Sequence, residues 1–298
     1  MKKLTTLLFA LMLTASMAFA QTSGNTGVSN PTVDVDQGAV ITQTGDNNVG
    51  SIDQVENGTG LTAAEINQQG DDNVGRIKQT SNAVNFQSMI DQRGDDNRAN
   101  TDLSSSTSNF PISSKDTKTL QYQEGNNNTA SILGTGIIQD MVVKQVQVGN
   151  DNVARYTGTA NAQAYQDQRG DDNVARANNV QKSSRVEQYQ AGDHNVATYE
   201  GATQSSGGRS YQDQRGDDNV SRVQTFGSDA GTSSLAETYQ FGDHNIAIID
   251  FSGNRGNEGL IDQNGNDNFG HIEFLSGGNT NAVITQTGND NRATITRN

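Results

Sequence analysis

The phrase Gln-x-Gly-x-x-Asn occurs eleven times in this chain, and no other feature restricts its fold so severely. The glutamines are Gln43, Gln68, Gln92, Gln123, Gln147, Gln168, Gln190, Gln214, Gln240, Gln263 and Gln286. Five residues after each stands an asparagine: Asn48, Asn73, Asn97, Asn128, Asn152, Asn173, Asn195, Asn219, Asn245, Asn268 and Asn291. Successive copies lie 21 to 31 residues apart, the range in which self-similarity means a stack of like units. A catalytic motif is normally written once, because one nucleophile or base serves one pocket.

Each copy has the same internal grammar. Two residues after the asparagine the side chain is always tiny, from Gly50 and Gly75 through Ala99, Ala154 and Ser221 to Ala293. Two further on it is usually branched or bulky, as in Ile52, Ile77, Ile132, Tyr156, Tyr199, Val223 and Ile295. Two before the glutamine comes Ile41, Ile66, Ile90, Ile261 or Ile284, or another glutamine: Gln121, Gln145, Gln166, Gln188 and Gln212. Constraint at every second residue is the strand period, whereas a helix repeats at three and four. Between the two runs sit turn-formers such as Gly170-Asp171-Asp172, where glycine accepts φ > 0 and Asp or Asn can bond nearby backbone. A unit therefore reads strand, tight turn, strand, then a looser return. Both prolines, Pro31 and Pro111, fall outside the predicted strands.

Two strands cannot stand alone, so the units must stack, each completing the next. A broad apolar interior is not available: hydrophobic residues are 31% of the chain, aromatics 5%, and tryptophan is absent. The repeated Gln and Asn must then face inward, where an amide is costly unless donor and acceptor are both met. In a stack of like rungs each amide bonds its counterpart above and below, as in cross-β assemblies. The predicted fold class is all-β: a β-solenoid of about eleven strand-turn-strand units, two parallel sheets enclosing a narrow core. At about 4.8 Å per rung the rod would be roughly 50 Å long.

The chain opens like an exported protein. Lys2 and Lys3 precede an apolar run, Leu4 to Leu13, and Ala18-Phe19-Ala20 supplies small residues for cleavage before Gln21. The expected organisation is a signal peptide at 1–20, a flexible segment at 21–36 and the repeat solenoid at 37–298. No stretch is long and apolar enough for a transmembrane helix, and the absence of cysteine rules out disulfide staples. Loss of Lys2 and Lys3 would move the formal charge from −14 to −16, which argues against affinity for nucleic acid.

An end rung leaves one side of each ladder and a row of backbone groups unpaired, and ordinary solenoids cover that edge with an atypical repeat. Here the first unit, AVITQTGDNNV at 39–49, and the last, AVITQTGNDNR at 282–292, are nearly identical, so neither has degraded into a cap. A head-to-tail contact between such ends does not close and generates filaments.

At this point the residues resemble the curlin-repeat family, the subunits of curli fibres on bacterial surfaces. Gln43-x-Gly45-x-x-Asn48-x-Gly50 with Gln54, and Gln68-x-Gly70-x-x-Asn73-x-Gly75 with Gln79, fit the family unit throughout. The resemblance covers about 37–298. It departs at the closing glutamine, replaced after unit two by Leu103, Gly134, Gly158, Asn179, Gly201, Thr225, Phe251, Phe274 and Arg297, and the family's leading inward serine is not evident. The resemblance implies the solenoid and a fibre role, without deciding between major subunit and nucleator. It further implies as partners other copies of the chain, a nucleating homologue and an outer-membrane secretion pore.

Sharper chemistry finds less support. Arg-Gly-Asp occurs at 93–95, 169–171 and 215–217, but Gly-Asp is the turn and Arg an outward neighbour of stacked carboxylates. Calcium β-rolls repeat every nine residues, not at this period. His194 and His244 lie two rungs apart, about 10 Å, too far to share a metal, though acid could ease assembly by charging them between rows of Asp. A carbohydrate-cleaving β-helix would need paired carboxylates free of the turns. No catalytic residue, metal site or cofactor is expected. The reading is an exported, extracellular structural subunit that self-assembles into curli-like amyloid fibres for adhesion and biofilm formation; the alternative is a monomeric secreted β-solenoid adhesin.

Overall fold

The computed structural model describes residues 17–20, 26–31, 38–56, 62–81, 85–105, 116–136, 140–159, 162–180, 184–201, 208–225, 234–252, 256–275 and 279–297. Most of the leader, parts of 21–36 and Pro111 lie outside them.

The described residues are all-β, without a helix, and form two parallel sheets of 12 strands each. One sheet holds β1 (Met17–Ala20), β3 (Gly38–Thr44), β5 (Thr62–Gln69), β7 (Asn85–Arg93), β9 (Asp116–Glu124), β11 (Val142–Val148), β13 (Gln163–Arg169), β15 (Arg185–Ala191), β17 (Arg209–Arg215), β19 (Leu235–Phe241), β21 (Glu258–Asn264) and β23 (Asn281–Thr287), neighbours in that order. The other holds β2 (Thr26–Pro31), β4 (Val49–Glu56), β6 (Val74–Ser81), β8 (Arg98–Ser105), β10 (Thr129–Gly136), β12 (Val153–Gly158), β14 (Val174–Val180), β16 (Val196–Gly201), β18 (Val220–Thr225), β20 (Ile246–Phe251), β22 (Phe269–Phe274) and β24 (Arg292–Arg297). Each of the eleven units thus contributes one strand to each sheet, and the fold is the β-solenoid that the period-two pattern predicts.

Register follows the motif. Gln43 lies opposite Gln68 and Gln68 opposite Gln92, and the column continues to Gln286. Along most strands buried residues alternate with residues facing out. That alternation fixes the register, because a slip by one residue would turn every amide outward. Between the sheets lie the tiny residues of the second strand, Ala154, Ala175 and Ala197 among them, and the branched or aromatic ones beyond them, Ile132, Tyr156, Tyr199 and Ile249, all essentially without solvent exposure.

Each tight turn has two residues at positive φ, not the glycine alone. After Gly149 (φ 121°) comes Asp151 at 55°, and the same third position is held by Asn47, Asp72, His194 and His244 at 56° to 58°. Asn, Asp and His are the side chains that tolerate this left-handed region best after glycine, which explains why that position never carries a branched residue.

Two departures from the sequence pattern have physical reasons. The closing position of unit six is held by Val180, not by Asn179: a bulge between β12 and β14 sets Gly158 opposite Val180 and pushes Asn179 into the left-handed region at φ 54°. Val180 is fully buried, so the extra residue lets an apolar side chain take the inward place. Within 21–36, read as flexible, Thr26–Pro31 forms strand β2 along β4, with Gly27 opposite Gly50. Pro31 is tolerated there because β2 ends its sheet and its outer edge needs no amide donor. Strand β1 pairs with β3, Ala20 opposite Gln43.

Candidate assembly site: the amide ladders

The glutamine of every motif donates from Nε2 to Oε1 of the glutamine in the next unit, in ten consecutive bonds of 2.7 to 3.0 Å from Gln43 to Gln286. A second N–H bond goes across the core to a backbone carbonyl, Gln68 to Val49 at 3.2 Å and Gln147 to Thr129 at 3.2 Å. Internal members of the column therefore meet both amide hydrogens, which is what lets them stay buried.

The asparagine column runs the opposite way. The backbone N–H of each Asn from Asn73 to Asn291 donates to Oδ1 of the Asn one unit earlier, at 3.0 to 3.1 Å. Its Nδ2 donates forward to the carbonyl of the next motif glycine, Asn128 to Gly149 at 2.7 Å and Asn152 to Gly170 at 2.7 Å. The glycine is required by the same contact. A Cβ on Gly149 would sit 2.1 Å from the Gly170 oxygen. A third column runs through the turns, where Asp46 N–H donates to Asp71 Oδ1 at 2.7 Å and Asn266 N–H to Asn289 Oδ1 at 2.9 Å. Only a short side chain with a terminal oxygen reaches that far, so the position is always Asp or Asn.

All twenty-two glutamines and asparagines singled out from sequence lie in these two columns, and all but Asn291 are buried. A further ladder was left out of that set although its residues were visible in the alternation. Gln121, Gln145, Gln166, Gln188 and Gln212 bond one to the next at 2.7 to 2.9 Å. It is bounded at both ends: Thr101 Oγ1 donates to Gln121 Oε1 at 3.0 Å, and Gln212 Nε2 donates to Ser221 Oγ at 2.7 Å, which in turn meets Thr238 Oγ1 at 2.6 Å. The closing-glutamine ladder is also terminated, since Gln54 donates to Gln79 and Gln79 donates to Ser88 Oγ, both at 2.9 Å. Thr101 and Ser221, odd members of their columns by sequence, are the residues that end a ladder with a hydroxyl.

The two motif columns have no such terminus at the β23–β24 end. Among the described residues Gln286 Nε2 donates to Phe269 O alone, at 3.0 Å, and Asn291 Nδ2, with no following glycine carbonyl, donates back to Asn268 Oδ1 at 2.9 Å and to Thr287 O at 3.2 Å. Ala293 and Ile295 are partly exposed there, whereas Ala247, Ile249 and Ile272 in the two preceding units are fully buried.

The groups that suggested other chemistry are engaged in the fold. Arg169 and Arg215 pair with Asp167 and Asp213 on their own strands at 3.2 and 3.1 Å, and Arg93 with Asp91 at 3.2 Å. The aspartates of the same triplets, Asp95, Asp171 and Asp217, accept turn N–H groups at 2.7 to 2.8 Å. His194 lies 3.5 Å from Asp172 and His244 3.6 Å from Asp218, each with the unit before it. Among the described residues no three His, Cys, Asp or Glu side chains are grouped to hold a metal, and no helix is long and apolar enough to cross a membrane.

A scan against protein-family models finds no match to the chain, and a search of curated proteins finds none.

Proposed function

We propose that this chain is an exported structural subunit that polymerises head to tail into curli-like amyloid fibres of an extracellular matrix, serving adhesion and biofilm formation. The observation that carries the reading is a contrast. Ladders that stop inside the rod stop on a hydroxyl, while the two that run its whole length reach the β24 face with Gln286 and Asn291 and no cap among the described residues. The columns are also polar: Gln donates forward and the Asn backbone donates backward, so a rung of the first-unit sequence placed on β23 and β24 meets complementary groups. The near-identity of 39–49 and 282–292 supports that docking. A nucleating homologue and an outer-membrane pore are the partners such a subunit would use.

One observation favours the monomeric rod. Strand β2 lies along β4, so in this conformation that strand of the first unit is covered and would have to be uncovered for a second copy to dock, whereas β1, which lies along β3, belongs to the leader that export would remove. Purified mature protein separates the two readings. Polymerisation predicts a lag phase abolished by preformed seeds, amyloid-dye binding and a meridional reflection near 4.8 Å. A soluble rod of fixed size at every concentration would overturn it.

A further inference from the structure

Four tyrosines from consecutive units stand in single file on the outer face of the first sheet, apart from every ladder. Tyr165, Tyr189, Tyr211 and Tyr239 belong to β13, β15, β17 and β19. The register sets Tyr165 and Tyr211 opposite Glu187, and Tyr189 opposite Asp167 and Asp213, so tyrosine and carboxylate alternate like a checkerboard over two outward columns. The rings lean together across the columns: centroids are 5.1, 5.5 and 5.3 Å apart, with planes tilted by 48°, 40° and 37°. Three phenols donate to a carboxylate on their own strand, Tyr165 to Asp167 at 3.0 Å, Tyr189 to Glu187 at 3.2 Å and Tyr211 to Asp213 at 3.4 Å. Packing alone needs the rings but not a base beside three of the four hydroxyls.

We propose that this file is a site of oxidative tyrosine coupling, at which a peroxide-dependent haem peroxidase joins neighbouring rungs by dityrosine bonds. The oxidised haem removes one electron from each of two adjacent phenols, and the phenolic protons of Tyr165, Tyr189 and Tyr211 pass to their hydrogen-bonded carboxylates, that of Tyr239 to water. The two phenoxyl radicals form one carbon–carbon bond between ring positions ortho to oxygen. The two ring hydrogens at those carbons then move to the oxygens, restoring both phenols, so the pair has lost two hydrogens and one hydrogen peroxide has become two waters. Burial holds the phenols of Tyr165, Tyr189 and Tyr211 up near 12, so in neutral water the electron leaves only with its proton, and the carboxylate is placed to take it. The chain has no cysteine for disulfides and no tryptophan to compete as electron donor. Disulfide links between rungs are therefore closed to it.

The molecule contains its own controls. Tyr122 donates to Glu124 at 2.5 Å but lies opposite Asp91 and Val146, with Arg93 over its ring and, among the described residues, no aromatic neighbour of its own. Tyr156 and Tyr199 are buried in the core. The test treats the dilute, folded mature chain with hydrogen peroxide and a haem peroxidase, then digests it at Arg and Lys, which places the four tyrosines of the file on four different peptides. The expected products are dityrosine fluorescence and linked peptides joining Tyr165 to Tyr189, Tyr189 to Tyr211 and Tyr211 to Tyr239. Tyr189→Phe, which keeps the ring, should lose the first two links and retain the third, and Tyr122→Phe should change nothing. Links to Tyr122 as frequent as those within the file, an unchanged pattern in Tyr189→Phe, or no dityrosine at all would overturn the proposal. None of these outcomes depends on whether the chain polymerises.

Discussion

Gln92 donates to Gln123 at 2.8 Å although 31 residues separate them, the longest step in the chain, and the bond is no longer than that from Gln147 to Gln168 across 21. The return connection is therefore free to vary while the amide column sets the spacing. Gln123 accepts from Gln92 and donates to Gln147, so Gln123→Leu strands an amide N–H on one side and an oxygen on the other. At about 1–3 kcal/mol for each buried group left unmet, the loss is about 2–6 kcal/mol. The double variant Gln92→Leu with Gln123→Leu leaves the same number of loose ends, now on Gln68 and Gln147, and should cost far less than twice the single change. Urea midpoints of the soluble chain check this; simple additivity would contradict a ladder.

How much of this was legible beforehand depends on how local each feature is. The inward glutamines, the tiny and branched positions and the turns could be read because all lie within a dozen residues of one another and recur. The ladder through Gln121 and Gln212 was visible as alternation, but its ends were not: Thr101 and Ser221 become hydroxyl caps only when a neighbour one unit away has a particular side chain. Val180 was missed because a bulge breaks the count of two after Ala177. The tyrosine file was hidden for a related reason. Its members alternate between the third and the first residue before the motif glutamine, so no single column of the aligned repeats contains them all.

The hydroxyl of Tyr156 is buried and among the described residues has no hydrogen-bond partner, and burial alone pushes its ionisation far above the ordinary phenol value. Tyr199, in the equivalent place two units on, meets Thr225 Oγ1 at 3.2 Å. Tyr156→Phe should therefore leave stability unchanged or raise it by about 1 kcal/mol, whereas Tyr199→Phe should lower it by about 1 kcal/mol. The comparison is a pair of denaturation curves, and a clear loss in Tyr156→Phe would mean that its hydroxyl is satisfied.

The outer tyrosines make stability depend on alkali. Burial first, and then the charges of Asp167, Glu187 and Asp213, raise Tyr165, Tyr189 and Tyr211 from 10 to about 12. Between these values the unfolded chain has released phenolic protons that the folded chain still holds, so stability falls as pH rises. Their contribution is fully present below pH 10 and is lost as pH passes through about 12. Tyrosinate absorbance should show these three phenols, together with the core Tyr156 and Tyr199, titrating late in the folded protein and at the ordinary value in denaturant. A single transition near pH 10 in both states would contradict the buried, carboxylate-flanked setting.

The sharpest separation of fold from assembly is offered by two glycines in equivalent places. Gly149→Ala puts a methyl 2.1 Å from the Gly170 oxygen, so two rungs must part and the soluble chain should lose several kcal/mol, on the order of 3 or more. Gly288 has the same kind of backbone, φ 97°, but a Cβ there meets nothing nearer than Asn291 Nδ2 at 3.7 Å. Gly288→Ala should then cost only the strain of a positive φ, about 1 kcal/mol, and the monomer should fold. If a second copy docks on β23 and β24 in the register seen within the chain, its Gly45 carbonyl arrives where the Gly170 carbonyl stands over Gly149, and the new methyl blocks it. Gly288→Ala should thus give a folded chain by circular dichroism that neither elongates seeds of the parent protein nor forms fibres. Normal elongation by this variant would show that growth does not proceed through the β23–β24 face.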